Sequence, residues 1–414
     1  MSNAVTCRRR AAMLIVVLIV VVRVASAQAP PPTTVEATDF IQTLYRPLVQ
    51  DVQANGGPTV LVASFVTARE LHTHLTAEIF NLPTASNSGG FSWTYDAALG
   101  TWSRSVTSFG PQFVERSNTA GRHKVNFGVT WERFTFDHLG NRPLAEASLD
   151  SSGAFAGSSG STSSQLRVTE RATLSRADVG ITTMFVNYGI MPALDAGVFL
   201  STVSVAVEGT LHYDLQRTSP NLVLSRTVTA SGRSQIVTTP VFRGKWNVLR
   251  RPRGGLALAA DLRPHGRTTL GAGGLRFQFI ASGEASGFHA HVNTGYEGFD
   301  CDGSVELGGC GSVDGSFIVG GVDKAVATRL TLSASVQAQG YQVGHGGALG
   351  QTASTAPVQS LLAPLVTTTR VTTAMTARFN LWNNLLLTAT GLMSTNSYGL
   401  GDRFTPVIGF DYAW

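Results

Sequence analysis

Phe404-Thr-Pro-Val-Ile-Gly-Phe-Asp-Tyr-Ala-Trp414 is the stretch on which the fold turns. Laid out as an extended strand, it puts Phe404, Pro406, Ile408, Phe410, Tyr412 and Trp414 on one side. Thr405, Val407, Gly409, Asp411 and Ala413 take the other. Side chains in a strand alternate between faces, so period two with an aromatic-rich face predicts a strand with one greasy surface. The same alternation recurs upstream. Val125, Phe127, Val129 and Trp131 oppose Lys124, Asn126, Gly128, Thr130 and Glu132; Phe288, Ala290, Val292, Thr294 and Tyr296 oppose His289, His291, Asn293, Gly295 and Glu297. Over 330–339 the division is cleanest: Leu330, Leu332, Ala334, Val336 and Ala338 against Thr331, Ser333, Ser335, Gln337 and Gln339. In a soluble sandwich the apolar face meets a core. In a membrane barrel it meets lipid, and the polar face looks into a wet interior.

Connection lengths separate the two. Tight links fall near Met191-Pro-Ala, 282–287, 324–328 and 381–384, and long ones at 138–164, 215–226, 299–315, 344–366 and 397–402. Short and long links largely alternate, as short periplasmic turns and longer extracellular loops do. Counting back from a periplasmic C-terminus predicts twelve strands near 123–137, 165–189, 193–213, 226–246, 254–264, 274–282, 287–299, 315–325, 328–343, 366–381, 384–396 and 403–414. Each is near or above the ~9–11 residues that a tilted spanning strand needs. If 59–67 and 105–115 join the wall, the count becomes fourteen. The expected fold is therefore an all-β, transmembrane, antiparallel up-and-down barrel. The alternating ending with Phe410, Tyr412 and Trp414 resembles the C-terminal signal that the barrel-assembly machinery of the outer membrane reads.

The other end agrees. Arg8, Arg9 and Arg10 precede an apolar run from Ala11 to Val22 and then Ala25-Ser26-Ala27. A basic region, a short apolar core and a small-x-small site predict a secretory signal peptide over 1–27, taken by Sec-type export. The run is too short for a spanning helix. Cys7 lies in the basic region and not beside the cleavage site, which argues against a lipoprotein anchor. The whole chain has a formal net charge of +5, but Arg8, Arg9, Arg10 and Arg23 leave with the leader, so 27 basic residues face 26 acidic ones. With no basic stripe and interleaved aromatics, nucleic acid is not an expected partner. Outer-membrane lipid is. Abundant glycine (44 residues) and a low charged fraction (14%) suit strands and turns with a lipid-facing side. Cys301 and Cys310, in a turn-rich loop, are expected to form a local disulfide in an oxidising compartment.

Residues 28–58 open on a proline-rich start and then carry Phe40, Leu44, Leu48 and Val52 at helical spacing, with Asp39 as a cap. A short amphipathic helix closing the periplasmic end is the plain expectation; a plug inside the barrel is the alternative. Residues 59–122 hold either extra strands or a plug region, and 123–414 the barrel.

If the faces are assigned correctly, Glu132, Asp261, Arg263, Arg276, His289, His291, Glu297, Arg370, Arg378 and Asp411 point inward. Charge on the lipid face costs about 2–4 kcal/mol for Arg or Lys at the midplane, which drives this placement. Mixed signs suit either cross-lumen ion pairs or a narrow polar path. His289 and His291, two apart on one face, have the spacing of metal ligands that Glu297 would complete, but two histidines filling an interior is the more ordinary reading, and no metal or cofactor is expected. No Gly-x-Ser-x-Gly elbow or phosphate loop appears. A membrane-embedded hydrolase would need a Ser–His pair within hydrogen-bond distance at a rim.

Ser108-Phe-Gly-Pro-Gln-Phe-Val-Glu-Arg-Ser117, Gly121 to Phe136, Ala260-Asp-Leu-Arg-Pro264, Leu270-Gly-Ala-Gly273, His289 to Tyr296 and Val319 to Leu332 together resemble the phenol-degradation meta-pathway transporter family. That group is related in style to the fatty-acid and toluene outer-membrane channels. The resemblance covers roughly 105–414. Where the family shows a Pro-Thr-Gly-Asp turn, this chain has Pro264-His-Gly-Arg267. The resemblance implies a non-enzymatic outer-membrane channel for passive uptake of small, hydrophobic or aromatic molecules. A structural barrel without conductance is the alternative.

Overall fold

The computed structural model of the chain describes residues 39–60, 62, 67–68, 93–96, 101–104, 108–139, 142–156, 165–217, 221–238, 240–251, 253–264, 273–300, 310–345, 366–382, 384–395 and 400–413. Strands β1 (Trp93–Asp96) and β2 (Thr101–Arg104) form a small hairpin. The wall begins at β3 (Val125–Phe136), followed by the short β4 (His138–Leu139) and β5 (Arg142–Pro143), then β6 (Ser148–Ala156). Next come β7 (Gln165–Met191), β8 (Leu194–Arg217), β9 (Leu222–Val237), β10 (Val241–Arg251), β11 (Gly254–Arg263) and β12 (Gly273–Ala285). The chain continues through β13 (Phe288–Asp300), β14 (Cys310–Ala327), β15 (Leu330–His345), β16 (Val366–Trp382), β17 (Leu385–Ser394), the two-residue β18 (Leu400–Gly401) and β19 (Thr405–Ala413).

Antiparallel pairing runs β3–β7–β8–β10–β11–β12–β13–β14–β15–β16–β17–β19 and returns to β3, where Phe410 faces Val129 and Tyr412 faces Phe127. Twelve strands thus close a ring, as expected; the strand expected at 226–246 is instead split between β9, which lies outside the ring, and the wall strand β10. Met191 and Leu194, Arg251 and Gly254, Ala285 and Phe288, Ala327 and Leu330, and Trp382 and Leu385 are each separated by two residues, so one end of the barrel carries only tight turns. Closure matters because a wall in lipid has no water to satisfy an open strand edge. The fourteen-strand alternative does not occur: the ring is complete without 59–67 or 105–115, and Ser108–Glu115 runs without strand pairing.

The pleat sorts the side chains. Along β19 burial alternates strictly, with Pro406, Ile408, Phe410 and Tyr412 outward. Trp246, Phe277, Tyr296, Ile318, Val336 and Met375 are likewise exposed on the outer face, while Gln278, Asn293, Gln337 and Thr390 are buried on the inner one.

Along β3, β7 and β8 this polarity inverts. Near the tight turns the inner face holds Asn126, Asn187 and Asp195, and the outer face Trp131, Val186 and Val198. Farther along, the buried inner face becomes Phe134, Phe136, Val179, Leu174, Leu211 and Leu215, while Arg133, Thr135, Arg171 and Thr210 lie on the other. An apolar outer face needs lipid and a polar one needs water, so the inversion marks where the wall leaves the membrane. Beyond that level β6, β7, β8 and β9 continue as a four-stranded projection. β9 and β10 are nearly one strand along β8: Val237 faces Thr202 and Val241 faces Phe199.

The helix Phe40–Ala54 packs on the inner face of this projection. Phe40, Leu44, Tyr45, Leu48 and Val52 are fully buried there, joined in one core with Leu166, Val168, Leu211, Tyr213 and Leu215. Asp51 accepts from Tyr213 Oη at 2.5 Å and from Arg226 Nη1 at 3.2 Å; Arg217 Nη1 donates to the Asn55 carbonyl at 2.6 Å. Asp39 occupies the N-cap position without a side-chain capping bond. The helix thus sits at the end of the long connections, opposite the tight turns where a closing helix is expected. Helical spacing shows its greasy face, but its partner face lies on the far halves of strands that the alternation predicts as lipid-facing wall.

Candidate functional site: a polar interior tied to an internal segment

Residues 108–121 lie within the ring near the tight turns, almost wholly buried and without regular structure. An irregular buried segment must find partners for its backbone N–H and C=O groups. Here inward side chains of the wall supply them. Thr331 Oγ1 accepts from the Phe109 N–H at 3.1 Å and Arg378 Nη1 donates to the Phe109 carbonyl at 2.7 Å. The Asn293 amide, oriented so that its oxygen meets donors, accepts from the Glu115 N–H at 2.6 Å and donates to the Glu115 carbonyl at 3.0 Å. Asn247 Nδ2 donates to the Ser117 carbonyl at 2.7 Å, and Ser282 Oγ accepts from the Ser117 N–H at 2.9 Å. Asp195 accepts from the Ala120 N–H at 2.9 Å.

Charge reinforces these ties. Glu115 Oε1 meets Arg243 Nη1 at 2.5 Å, and its Oε2 lies 3.6 Å from Lys245 Nζ. Arg243 also forms a two-pronged pair with Asp261, its Nη2 donating at 2.6 Å, and its guanidinium lies 4.9 Å from the Phe199 ring centre. A planar guanidinium shared by two carboxylates is the strong, directional form of an ion pair. Arg116 folds back, Nη1 to the Ser108 carbonyl at 3.2 Å, around Gly110, whose φ of +72° favours glycine.

A second chain of bonds joins both ends of the segment through the wall. Ser108 Oγ donates to Asp323, whose other oxygen takes His291 Nε2 at 2.8 Å. His291 Nδ1 meets Ser282 Oγ at 2.9 Å, and Ser282 holds the Ser117 N–H. At the exit, a Cβ on Gly189 would stand 1.8 Å from the Gly121 carbonyl oxygen, so only glycine lets the chain pass the wall there.

The ten inward candidates divide accordingly. Arg378 holds the segment directly, Asp261 through Arg243, and His291 through Ser282 and Asp323; Asp411 lies 3.8 Å from Arg378 Nη2. Arg276, Glu297, Arg263 and Arg370 stand farther from the turns. Arg276 Nε is 3.7 Å from Glu297 and its guanidinium 4.1 Å from the Phe317 ring centre; Arg370 is buried and Arg263 half-buried. Glu132 is buried on the inner face of β3. His289 Nδ1 lies 3.9 Å from Glu284 at the tight-turn rim. The two histidines therefore take separate partners, and among the described residues no group of three metal-ligating side chains converges. Phe410 and Tyr412 face outward; Trp414 and the Cys301–Cys310 pairing fall outside the described residues.

Sequence reading missed Arg243, Lys245, Asn247, Ser282 and Asp323. The first three carry a visible cue, since they alternate with Phe242, Gly244 and Trp246 and so announce a polar inner face.

No family model and no curated protein matches the chain. Among solved structures it is similar to an outer membrane channel from Pseudomonas putida F1, with 10% identity and a TM-score of 0.46 over 72% of this chain and 98% of that one. It is also similar to a Pseudomonas aeruginosa FadL homologue, with 10% identity and a TM-score of 0.30 over 71% and 90% of the two chains. The CymD monoaromatic hydrocarbon channel follows at 9% identity and 0.31 over 70% and 88%.

Proposed function

We propose that this protein is an outer-membrane channel for passive uptake of small molecules, held closed at its tight-turn end by its own residues 108–121. The observation that carries this reading is the way the segment is held. It adds no strand to the wall, but is fixed by single side chains of β8, β10, β12, β13, β15 and β16. Such ties can be exchanged for water one at a time, whereas a strand ladder would have to be broken as a unit. Sec-type export and delivery by the barrel-assembly machinery belong to the same reading.

The apolar inner face of the projection, including the partly buried Leu222, Leu224 and Val228, suits first contact with a hydrophobic or aromatic molecule. Planar-bilayer conductance tests the proposal. Protein lacking 28–58 loses the helix and keeps the closing segment, so it should remain nearly silent. Protein lacking 28–121 should pass steady current. Silence in both, with stable insertion, would retire the channel.

One observation favours a second reading. Ser282, His291 and Asp323 form a hydrogen-bonded row of the kind hydrolases use. Against it, Ser282 Oγ already accepts the Ser117 N–H, and the segment lies over it. A fluorophosphonate probe applied to protein lacking 28–121 decides: labelling of Ser282 would support hydrolysis, and its absence would leave the row as a fastening.

A further inference from the structure

The tight-turn end of the barrel is basic. Among the described residues there, Arg122, Arg250, Arg251, Arg253, Lys324 and Arg329 are exposed, and Glu284 is the one exposed acid. Asp195, Asp323 and Asp411 also lie near this end, but all are buried inward. Several of the cations face lipid and not the lumen. Arg251 pairs with Gly254 on the last rung of β10–β11, next to the outward pair Leu249–Leu256. Lys324 stands on the outer face of β14 with its ammonium 4.3 Å from the centre of the exposed Phe288 ring. Arg253 and Arg329 occupy the turns themselves.

Level with this ring lie exposed Phe288 and Trp382, on the last rungs of their hairpins, and just inside it Trp246 and Tyr412. Amphipathic aromatic rings settle at the level of lipid headgroups, and long basic side chains lay their stems on apolar surface while the charge reaches outward. Together they place a row of cations at headgroup depth, beside a belt that fixes that depth. Each Lys or Arg so placed attracts an anionic lipid surface, and the attraction fades within a Debye length. Glu284, whose N–H meets the Arg253 carbonyl at 2.8 Å, is the one exposed acid among six exposed cations of the described rim, so the cations would repel one another unless further anions lay between them.

We infer that this rim binds anionic phospholipid headgroups of the leaflet it contacts, with phosphatidylglycerol as the fitting chemistry. Arg251 and Arg253 of one turn grip the phosphate, and Trp246 packs on the upper acyl chain. The proposal is independent of whether the lumen conducts, since it concerns only the outer surface.

The full chain, folded into nanodiscs of phosphatidylcholine containing one-fifth phosphatidylglycerol, is released into mild detergent and its retained lipids are weighed by native mass spectrometry. Retention should favour phosphatidylglycerol by about tenfold, fall as salt is raised, and drop to parity in the R251Q/R253Q/R329Q variant. Unchanged heat-modifiable mobility on gels shows that the variant is still a closed barrel. Equal retention of both lipids by the wild-type chain would overturn the inference. So would enrichment that survives in the variant. A parallel disc containing lipid A separates the other phosphate source: stronger, rim-dependent retention of lipid A than of phosphatidylglycerol would also overturn it.

Discussion

Glu115 gathers the charged ties that hold the internal segment. Its side chain is buried between Arg243 and Lys245, and its backbone is clasped by Asn293. Glu115→Ala removes the carboxylate that Arg243 and Lys245 share, leaving Arg243 with Asp261 and Lys245 3.9 Å from Asp195. Breaking a buried pair in a dry interior costs roughly 3–5 kcal/mol; water can reach a lumen, so a loss nearer 2 kcal/mol is expected, read as a lowered unfolding midpoint in urea. The same variant should raise open probability in single-channel records. Gly189→Ala acts on the opposite end, where the new methyl collides with the Gly121 carbonyl and should loosen the exit without touching a charge. Alternation singles out Asp261, Arg378 and Asp411 among the inward charges, but not Glu115, Arg243 or Asp323. Their partners were not legible, because period two says which way a side chain points and nothing about an irregular segment threaded across its tip.

The helix and the projection form one element, amphipathic on both sides of their contact. Leu48→Ala removes a fully buried side chain from the centre and should cost about 2–4 kcal/mol of local stability. Limited proteolysis should then cut within β8 and β9 above the membrane, while the wall resists. Eleven of the twelve wall strands lie where the sequence places them, because the lipid-facing side repeats the same pattern; β10 does not, since the alternation of β9 runs on into it. The far halves of β7 and β8 could not be told from wall: in β7 a register shift between Leu174 and Arg176 moves the buried positions from even to odd numbers, and in β8 the inner face stays on odd positions while its residues change from Asp195 to Leu211. Leu211 and Val198 look alike in the chain, yet Leu211 packs inward under a helix and Val198 faces outward.

For the whole molecule, the inversion of polarity sets how much of the barrel lipid surrounds. Val336→Arg puts a cation on the outer face of the mid-wall and should destabilise the folded protein by about 2–4 kcal/mol. Thr210→Arg, on the outer face of the projection, should change stability by less than about 0.5 kcal/mol, because that face meets water. Refolding into bilayers with urea titration measures both. Equal costs at the two sites would place the lipid boundary elsewhere.

The closing segment is covalently joined to the first wall strand through only Arg122, His123 and Lys124. A separate inhibitor would be lost by dilution; this one cannot be. Its local effective concentration is fixed by a three-residue tether, on the order of millimolar or above, whatever the abundance of the protein. On the proposed reading, any opening would be a brief excursion with a built-in return, and permeability would be governed by dwell time and not by dose.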